Sequence, residues 1–348
     1  MEGNTPKNTS DHVLDVRNLN VRIKVPAGTL HAVTDVDFHV DRGETLCIVG
    51  ESGCGKSITS LAVMGLLPRS ATMTADKLTL EGRDLLSVTD RQFADLRGDR
   101  IGMIFQDPMT SLNPVYTIGN QMEEVYIRHG KGGRKEARER AIYLLEKVGI
   151  TAAASRLGQY PHQLSGGLRQ RVMIAMTLMC DPALVIADEP TTALDVTIQA
   201  QILNLLKELQ DEFHMGLIFI THDLGVVARI ADRVAVMYAG LVVETGNAEQ
   251  VFSAPMHPYT QGLLECIPIP GKTVRGSQLG SIPGIVPALI GEQEGCLFRN
   301  RCSYAREACT DGEIDLETGG DQHGYRCVLT PEETVNHIKK APNAAVAE

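Results

Sequence analysis

The chain has 348 residues, 43% of them hydrophobic, with a formal net charge of −10 and a pI near 5.5. This composition supports packed cores and argues against a largely disordered chain, and the acidic balance excludes the global basic footprint of a nucleic-acid binder. No apolar run approaches the ~20 residues of a spanning helix, and the opening MEGNTPKNTSDH is polar, without the apolar stretch of a signal peptide; the expectation is a cytoplasmic protein that meets a membrane only through a partner.

Residues 1–12 read as a flexible tail. From 13 to 40 the pattern is strand-like, with alternation clearest at Val36, Phe38 and Val40. A short apolar strand at 46–49 runs into a glycine-rich turn, and a helix is predicted from about Lys56. The IGMIF stretch at 101–105 reads as another strand. Residues 135–148 predict an amphipathic helix, with Ala141, Leu144, Leu145 and Val148 on one face and Gly149 as its stop. Strands are predicted again at 184–187, 217–220 and 234–237, and Ile198, Ile202, Leu205, Leu206 and Leu209 form a helical stripe. Strands alternating with helices predict an α/β fold whose mostly parallel sheet is covered on both faces. The strand-rich start predicts an antiparallel β subdomain beside that sheet, and the stretch at about 90–180 an inserted helical subdomain. After Ser253, Pro255, Pro258, Pro268, Pro270, Pro283 and Pro287 break the periodicity. The expected organisation is a tail, a core domain over 13–255 and an extension over 256–348.

Gly50-Glu51-Ser52-Gly53-Cys54-Gly55-Lys56-Ser57 matches G-x-x-x-x-G-K-[ST] between a strand and a helix. The glycines let backbone N–H groups curl around phosphates, and the helix N-terminus adds its partial positive charge. Lys56 is expected to reach the β- and γ-phosphates and Ser57 to bind Mg²⁺. Cys54, beside Lys56 and a helix N-terminus, is expected to have a lowered thiol pKa. The strand LVIADE at 184–189 ends in two carboxylates: Asp188 is placed to hold Mg²⁺ through water, and Glu189 to polarise an attacking water. An acid at a strand exit is equally a helix N-cap when it stands alone. Ser165 can cap the helix that Leu164-Ser165-Gly166-Gly167-Leu168 opens, and the two glycines permit close approach to an anion. A capped helix without a ligand has the same sequence.

Taken together, the loop at 50–57, the LSGG-type signature at 164–168 and the LVIADE strand resemble the ATPase subunits of ABC transporters. Gln106, Ala193-Leu194-Asp195 and His222 fall where that family has its glutamine loop, D-loop and switch histidine, in the same order across roughly 13–250. The resemblance implies a P-loop NTPase ATPase domain and two subunits head to tail, each ATP lying between one phosphate loop and the partner's signature. It gives His222 the sensing of the γ-phosphate beside Glu189, and Gln106 a contact to Mg²⁺ or water that relays nucleotide state. The aromatic on which the family stacks adenine has no counterpart; Ile23 is the nearest equivalent, with aliphatic surface or His31 as alternatives. FQDPMTSLNPVYTI at 105–118, PHQLSGG at 161–167, ADEPTTALDVTIQAQI at 187–202 and HPYTQGLL at 257–264 resemble the peptide/nickel importer branch. That implies a second, different ATPase chain, two transmembrane permease subunits, an extracytoplasmic solute-binding protein acting indirectly, no nucleic acid, and a peripheral place on the cytoplasmic face of the inner membrane. The cargo implied is di- or oligopeptides, with nickel, opines and other small solutes as alternatives within the same branch, and a soluble non-transport ABC ATPase as the alternative from another class.

Four of the eight cysteines crowd into the extension: Cys296, Cys302, Cys309 and Cys327. Without a C-x₂-C pair the spacing is a poor zinc ribbon. Four thiolates from a loop-rich segment can hold an iron–sulfur cluster, with Arg299, Arg301 and Arg306 offsetting its charge. Zinc and unliganded thiols remain alternatives on spacing alone. The importer branch is associated with a 4Fe-4S cluster here, which the resemblance therefore implies.

Overall fold

The computed structural model describes residues 12–192, 195–267, 280–287, 289–291, 293–318 and 322–334. The expected tail lies outside them except for His12, which already opens a strand, and so do Ala193, Leu194, Pro268 and Pro270. Two long strands, His12–Val25 and Gly28–Asp41, fill the strand-like stretch read over 13–40, joined by a turn at Pro26 and Ala27. The chain forms two compact units. One comprises Met1–Asp15, His39–Glu44 and Thr79–Phe219; the other comprises Val16–Phe38, Thr45–Leu78 and Ile220–Glu348.

The first unit is built on the parallel strands Ile101–Ile104 and Leu184–Asp188, paired Ile101 to Leu184 and Ile104 to Ala187. The strand Gly216–Thr221 lies on the other side of Leu184–Asp188. Side chains 101–104, 184–187 and 216–219 are all buried, the continuous burial of strands covered on both faces. Helices Ile118–Arg128, Arg134–Lys147 and Gly166–Thr177 pack on one another. The middle one buries Ala137, Ala141, Leu144 and Leu145, a spacing that keeps one apolar stripe inward. Buried Glu123 accepts from Arg134 at 3.0 Å and Arg138 at 3.3 Å, tying two of these helices together. The strand expected at 101–105 is present as Ile101–Ile104, and helix resumes at Pro108.

In the second unit Thr45–Val49 and Arg233–Tyr238 run parallel, Val49 opposite Val236. Leu241–Asn247 adds antiparallel to Arg233–Tyr238, and the short strands Gly324–Tyr325 and Glu317–Thr318 extend the same sheet. Ala71–Thr74 pairs antiparallel with residues 20–23 of the first long strand. The described residues beyond 255 belong to this unit and are tied into it. Glu244, fully buried, accepts the backbone N–H groups of Met256 and His257 at 2.8 and 2.9 Å and faces His323 Nε2 at 2.8 Å. Arg326 donates to Asp35 at 2.9 Å, to Ile314 O at 2.9 Å and to Val242 O at 3.3 Å. Tyr238, Tyr259 and Phe298 form an aromatic cluster with ring centroids 4.7 to 5.4 Å apart, and such pairs contribute roughly 0.5–1.5 kcal/mol each beyond their buried area.

Removing the Glu244 carboxylate strands two backbone N–H groups and a buried imidazole. Glu244→Ala should therefore destabilise the chain by about 3 kcal/mol or more, whereas Glu244→Gln, which keeps an acceptor oxygen, should lose less. Urea unfolding of the two variants against the parent checks the order.

Candidate functional site

The strand Thr45–Val49 delivers the chain into the phosphate loop, and Lys56 starts the helix Lys56–Val63. Gly50, Gly53 and Gly55 have φ of 155°, 82° and 106°, conformations that L side chains rarely adopt. At Gly50 space forbids a side chain as well: a Cβ would stand 2.2 Å from the Met237 carbonyl oxygen. Lys56 is 5% exposed, and its ammonium donates to the carbonyl oxygens of Gly50 at 2.8 Å and Glu51 at 3.0 Å. Ser52 and Ser57 are exposed on the loop and the first helical turn. His222 follows the strand Gly216–Thr221 and is exposed, and Asp223 after it caps the helix Leu224–Ile230 through the N–H groups of Gly225 and Val226.

Residue 51 is held from three directions. Its carbonyl faces Lys56, its N–H donates to the Tyr259 hydroxyl at 2.9 Å, and its carboxylate takes a fork from Arg301 at 2.6 and 2.9 Å. Tyr259 is itself set by His257. Burial pushes that imidazole down to about 3, so Nδ1 stays unprotonated and accepts the Tyr259 N–H at 3.0 Å. Sequence reasoning missed Tyr259 and Arg301 as neighbours of the phosphate loop. HPYTQGLL and the arginine beside Cys302 were visible, but no local pattern relates residue 51 to residues 259 and 301.

In the first unit the strand Leu184–Asp188 carries Asp188 at its last position, with Glu189 beyond it. The structure brings Gln106 to Glu189: the amide Nε2 donates to Glu189 Oε2 at 3.1 Å. Thr192 Oγ1 donates to the same oxygen at 2.9 Å, a neighbour the sequence did not single out. Glu189 has φ of 46°, in the left-handed region. Ser165 caps the helix Gly166–Thr177, its side chain accepting from Leu168 N at 3.4 Å, and leaves Gly166 in the first turn, with Gly167 after it, near the surface. Asp195 caps Val196–Phe213 through the Ile198 N–H at 3.0 Å.

Cys296, Cys302, Cys309 and Cys327 line one pocket with Phe298 and Arg299. Among the described residues no three of these sulfurs lie within 4.8 Å of one another. Backbone N–H groups of Phe298 and Arg299 point at Cys296, that of Tyr304 at Cys302 and that of Leu329 at Cys327. Burial, then the neighbouring thiols, raise Cys327 to about 11. The expected charge offset by three arginines needs correcting. Arg301 is turned to Glu51 and Arg306 is paired with Glu333 at 3.1 Å, so only Arg299 faces the thiols.

The expected activation of Cys54 is also overturned. Its side chain is buried, and desolvation raises the thiol above its usual range. The Lys56 ammonium, 3.8 Å away, lowers it by less. Cys54 should therefore react with maleimide at least about tenfold more slowly than partly exposed Cys266, as mass-spectrometric labelling kinetics of the native chain would reveal.

A family model described as ABC transporter matches residues 33–192, and one described as the oligopeptide/dipeptide transporter C-terminal region matches 243–309. The oligopeptide transport ATP-binding protein AppD of Bacillus subtilis is 49% identical over 322 residues, 92% of this chain and 98% of the relative. The dipeptide transport ATP-binding protein DppD of Escherichia coli is 49% identical over 315 residues, 90% of this chain and 96% of the relative. A solved dimer of the ATP-binding cassette MJ0796, in a post-hydrolysis state bound to ADP and Pi, superposes with a TM-score of 0.60 at 27% identity and covers 68% of this chain and 98% of that one. With its phosphate loop built as above and relatives matched over nearly their whole length, the chain belongs to the ABC transporter ATP-binding family, in the branch that carries the oligopeptide/dipeptide transporter C-terminal region.

Proposed function

We propose that this ATP-hydrolysing subunit energises import of short peptides, and that Glu189 is the group that activates water. The observation that carries the assignment is the pairing of Glu189 with Gln106 at the exit of a buried strand, 3.1 Å apart. A carboxylate there accepts from Gln106 and Thr192 and can take a water's proton as the water attacks. In this reading Lys56 neutralises phosphate charge and Ser57, Asp188 and Gln106 hold Mg²⁺, which when bound shields the β- and γ-phosphates. His222 holds the γ-phosphate. Gly50, Ser52, Gly53 and Gly55 shape the cradle, and Ser165, Gly166, Gly167 and Asp195 serve the nucleotide of a partner ATPase.

The partners in this reading are a second, different ATPase chain and two permeases, with an extracytoplasmic binding protein acting indirectly. The chain would sit peripherally at the cytoplasmic face; among the described residues no helix is long and apolar enough to cross a membrane. Peptide cargo is supported by relatives named for dipeptide and for oligopeptide transport at the same 49% identity. The reading keeps a core domain over 13–255, with its antiparallel β and helical subdomains, and a cysteine-bearing extension over 256–348. Cys296, Cys302, Cys309 and Cys327 are the residues that would hold a 4Fe-4S cluster. Their shared pocket and the N–H groups aimed at sulfur support that fit. Bound there, a cluster supplies cross-linking of a segment with little core of its own.

Glu189→Gln should keep ATP binding while hydrolysis in the assembled transporter falls by about 10²–10⁴; Lys56→Ala should weaken ATP binding itself, by about tenfold or more. Turnover and nucleotide affinity measured on both variants separate the two roles, and near-normal turnover of Glu189→Gln would remove the assignment.

Protein purified without oxygen should be brown, with absorbance near ~400 nm and about four irons per chain. Any one of the four cysteines replaced by Ser should lose the iron and expose 296–334 to protease. Colourless protein carrying one zinc per chain would favour zinc instead.

A further inference from the structure

Glu51 puts a carboxylate into a loop built to hold a triphosphate. Left bare, that charge would oppose the negatively charged phosphates. It is not bare. Arg301, 5% exposed at its side chain, reaches it with both terminal nitrogens, at 2.6 and 2.9 Å. The guanidinium is in turn held by Pro283 O at 2.7 Å and lies over the rings of Tyr238 and Phe298, with its carbon 5.7 and 5.9 Å from their centroids. Its side chain is thus held through Pro283, Tyr238 and Phe298, and that arrangement depends on how the residues around Pro283 and Phe298 are folded. Tyr259, with no exposed surface, takes the N–H of the same residue 51. All these groups belong to one compact unit. Arg301 directly precedes Cys302, and Phe298 lies between Cys296 and Cys302 and packs against the Tyr259 ring.

We propose that Arg301 and Tyr259 are positioning residues for ATP binding: Arg301 neutralises and clamps Glu51, Tyr259 fixes its backbone, and the affinity of the phosphate loop is thereby set by the folded state of the cysteine-bearing segment. The inference rests on the loop binding nucleotide and is independent of what the four cysteines hold. Linkage makes the effect reciprocal, so ATP must stabilise residues 296–334 as much as their folding improves ATP binding.

The test uses the full-length chain, with ATP affinity measured by calorimetry and kcat measured in the assembled transporter. R301Q should raise the Kd for ATP about tenfold, because it exposes the carboxylate, while kcat at saturating ATP stays within about twofold. E51Q/R301Q should recover most of that loss, since the offending charge is gone; a role confined to holding the fold predicts no such recovery. Y259F, which removes one hydroxyl, should raise the Kd about threefold. ATP should slow proteolysis of 296–334 in the parent and less so in R301Q. If R301Q does not fold, R301K carries the test: its single-point ammonium in place of the fork should cost about threefold, cancelled by E51Q. An unchanged Kd in R301Q or R301K, or a double variant no better than the single one, overturns the proposal. Failure of all ATP binding in the parent chain would instead indict the phosphate-loop reading itself.

Discussion

Two backbone carbonyls fix where the phosphate loop can lie. Met237 O stands against Gly50, and Ala32 O stands so close to Gly55 that a Cβ there would be 2.6 Å away. Because both contacts are backbone to backbone, no rotamer change relieves them. The loop must therefore follow the strand Arg233–Tyr238 wherever it goes. The next residue of that strand, Tyr238, is a wall of the aromatic cluster that receives Phe298 and Tyr259. The extension thus touches the loop twice, once through the strand that the loop leans on and once directly through residue 51.

Among the described residues of this unit, buried charges such as Glu244 and Arg326 are closely met by partners. Glu244 has no exposed surface, yet two N–H groups and an imidazole converge on it. Arg326 is similarly surrounded by a carboxylate and two carbonyls. Desolvating such groups costs several kcal/mol each, and an apolar replacement could hold the same segments together. What the ionic version adds is directionality: a carboxylate at residue 244 accepts only from a chain that arrives with 256, 257 and 323 in register. A segment rich in prolines, with little regular structure among its described residues, has few other means of finding a single docked arrangement.

The sequence made most of the nucleotide-binding half legible because its signals are local. A strand, a glycine turn and a helix start occupy 45–63, and the helix Arg134–Lys147 appeared within one residue of the expected 135–148. Ser165 and Asp195 cap helices as short polar residues before apolar runs do. The misreadings came where local signals are weak or compete. Cys54 looked activated because its charged neighbour is written next to it, whereas the desolvation that outweighs Lys56 comes from packing that the sequence does not spell out. The arginines near the cysteines looked like counter-ions until Glu51 and Glu333, at separations of 250 and 27 residues, claimed two of them. Contacts across such separations leave no period to read.

Glu189 shows how local strain and chemistry meet. A non-glycine residue at φ 46° is disfavoured by roughly 1–2 kcal/mol, and it sits directly past a strand whose backbone is extended. The turn that follows is closed by the Thr192 N–H to Glu189 O at 3.3 Å, and Thr192 Oγ1 and Gln106 Nε2 both donate to one carboxylate oxygen. Three hydrogen bonds thus over-determine a conformation the residue would otherwise leave. Glycine would adopt the same backbone without cost but carries no carboxylate, and a relaxed glutamate would carry the carboxylate in another direction. The strained backbone is tolerable because it aims a carboxylate off the end of a buried strand, where Gln106 and Thr192 hold one oxygen in a single orientation.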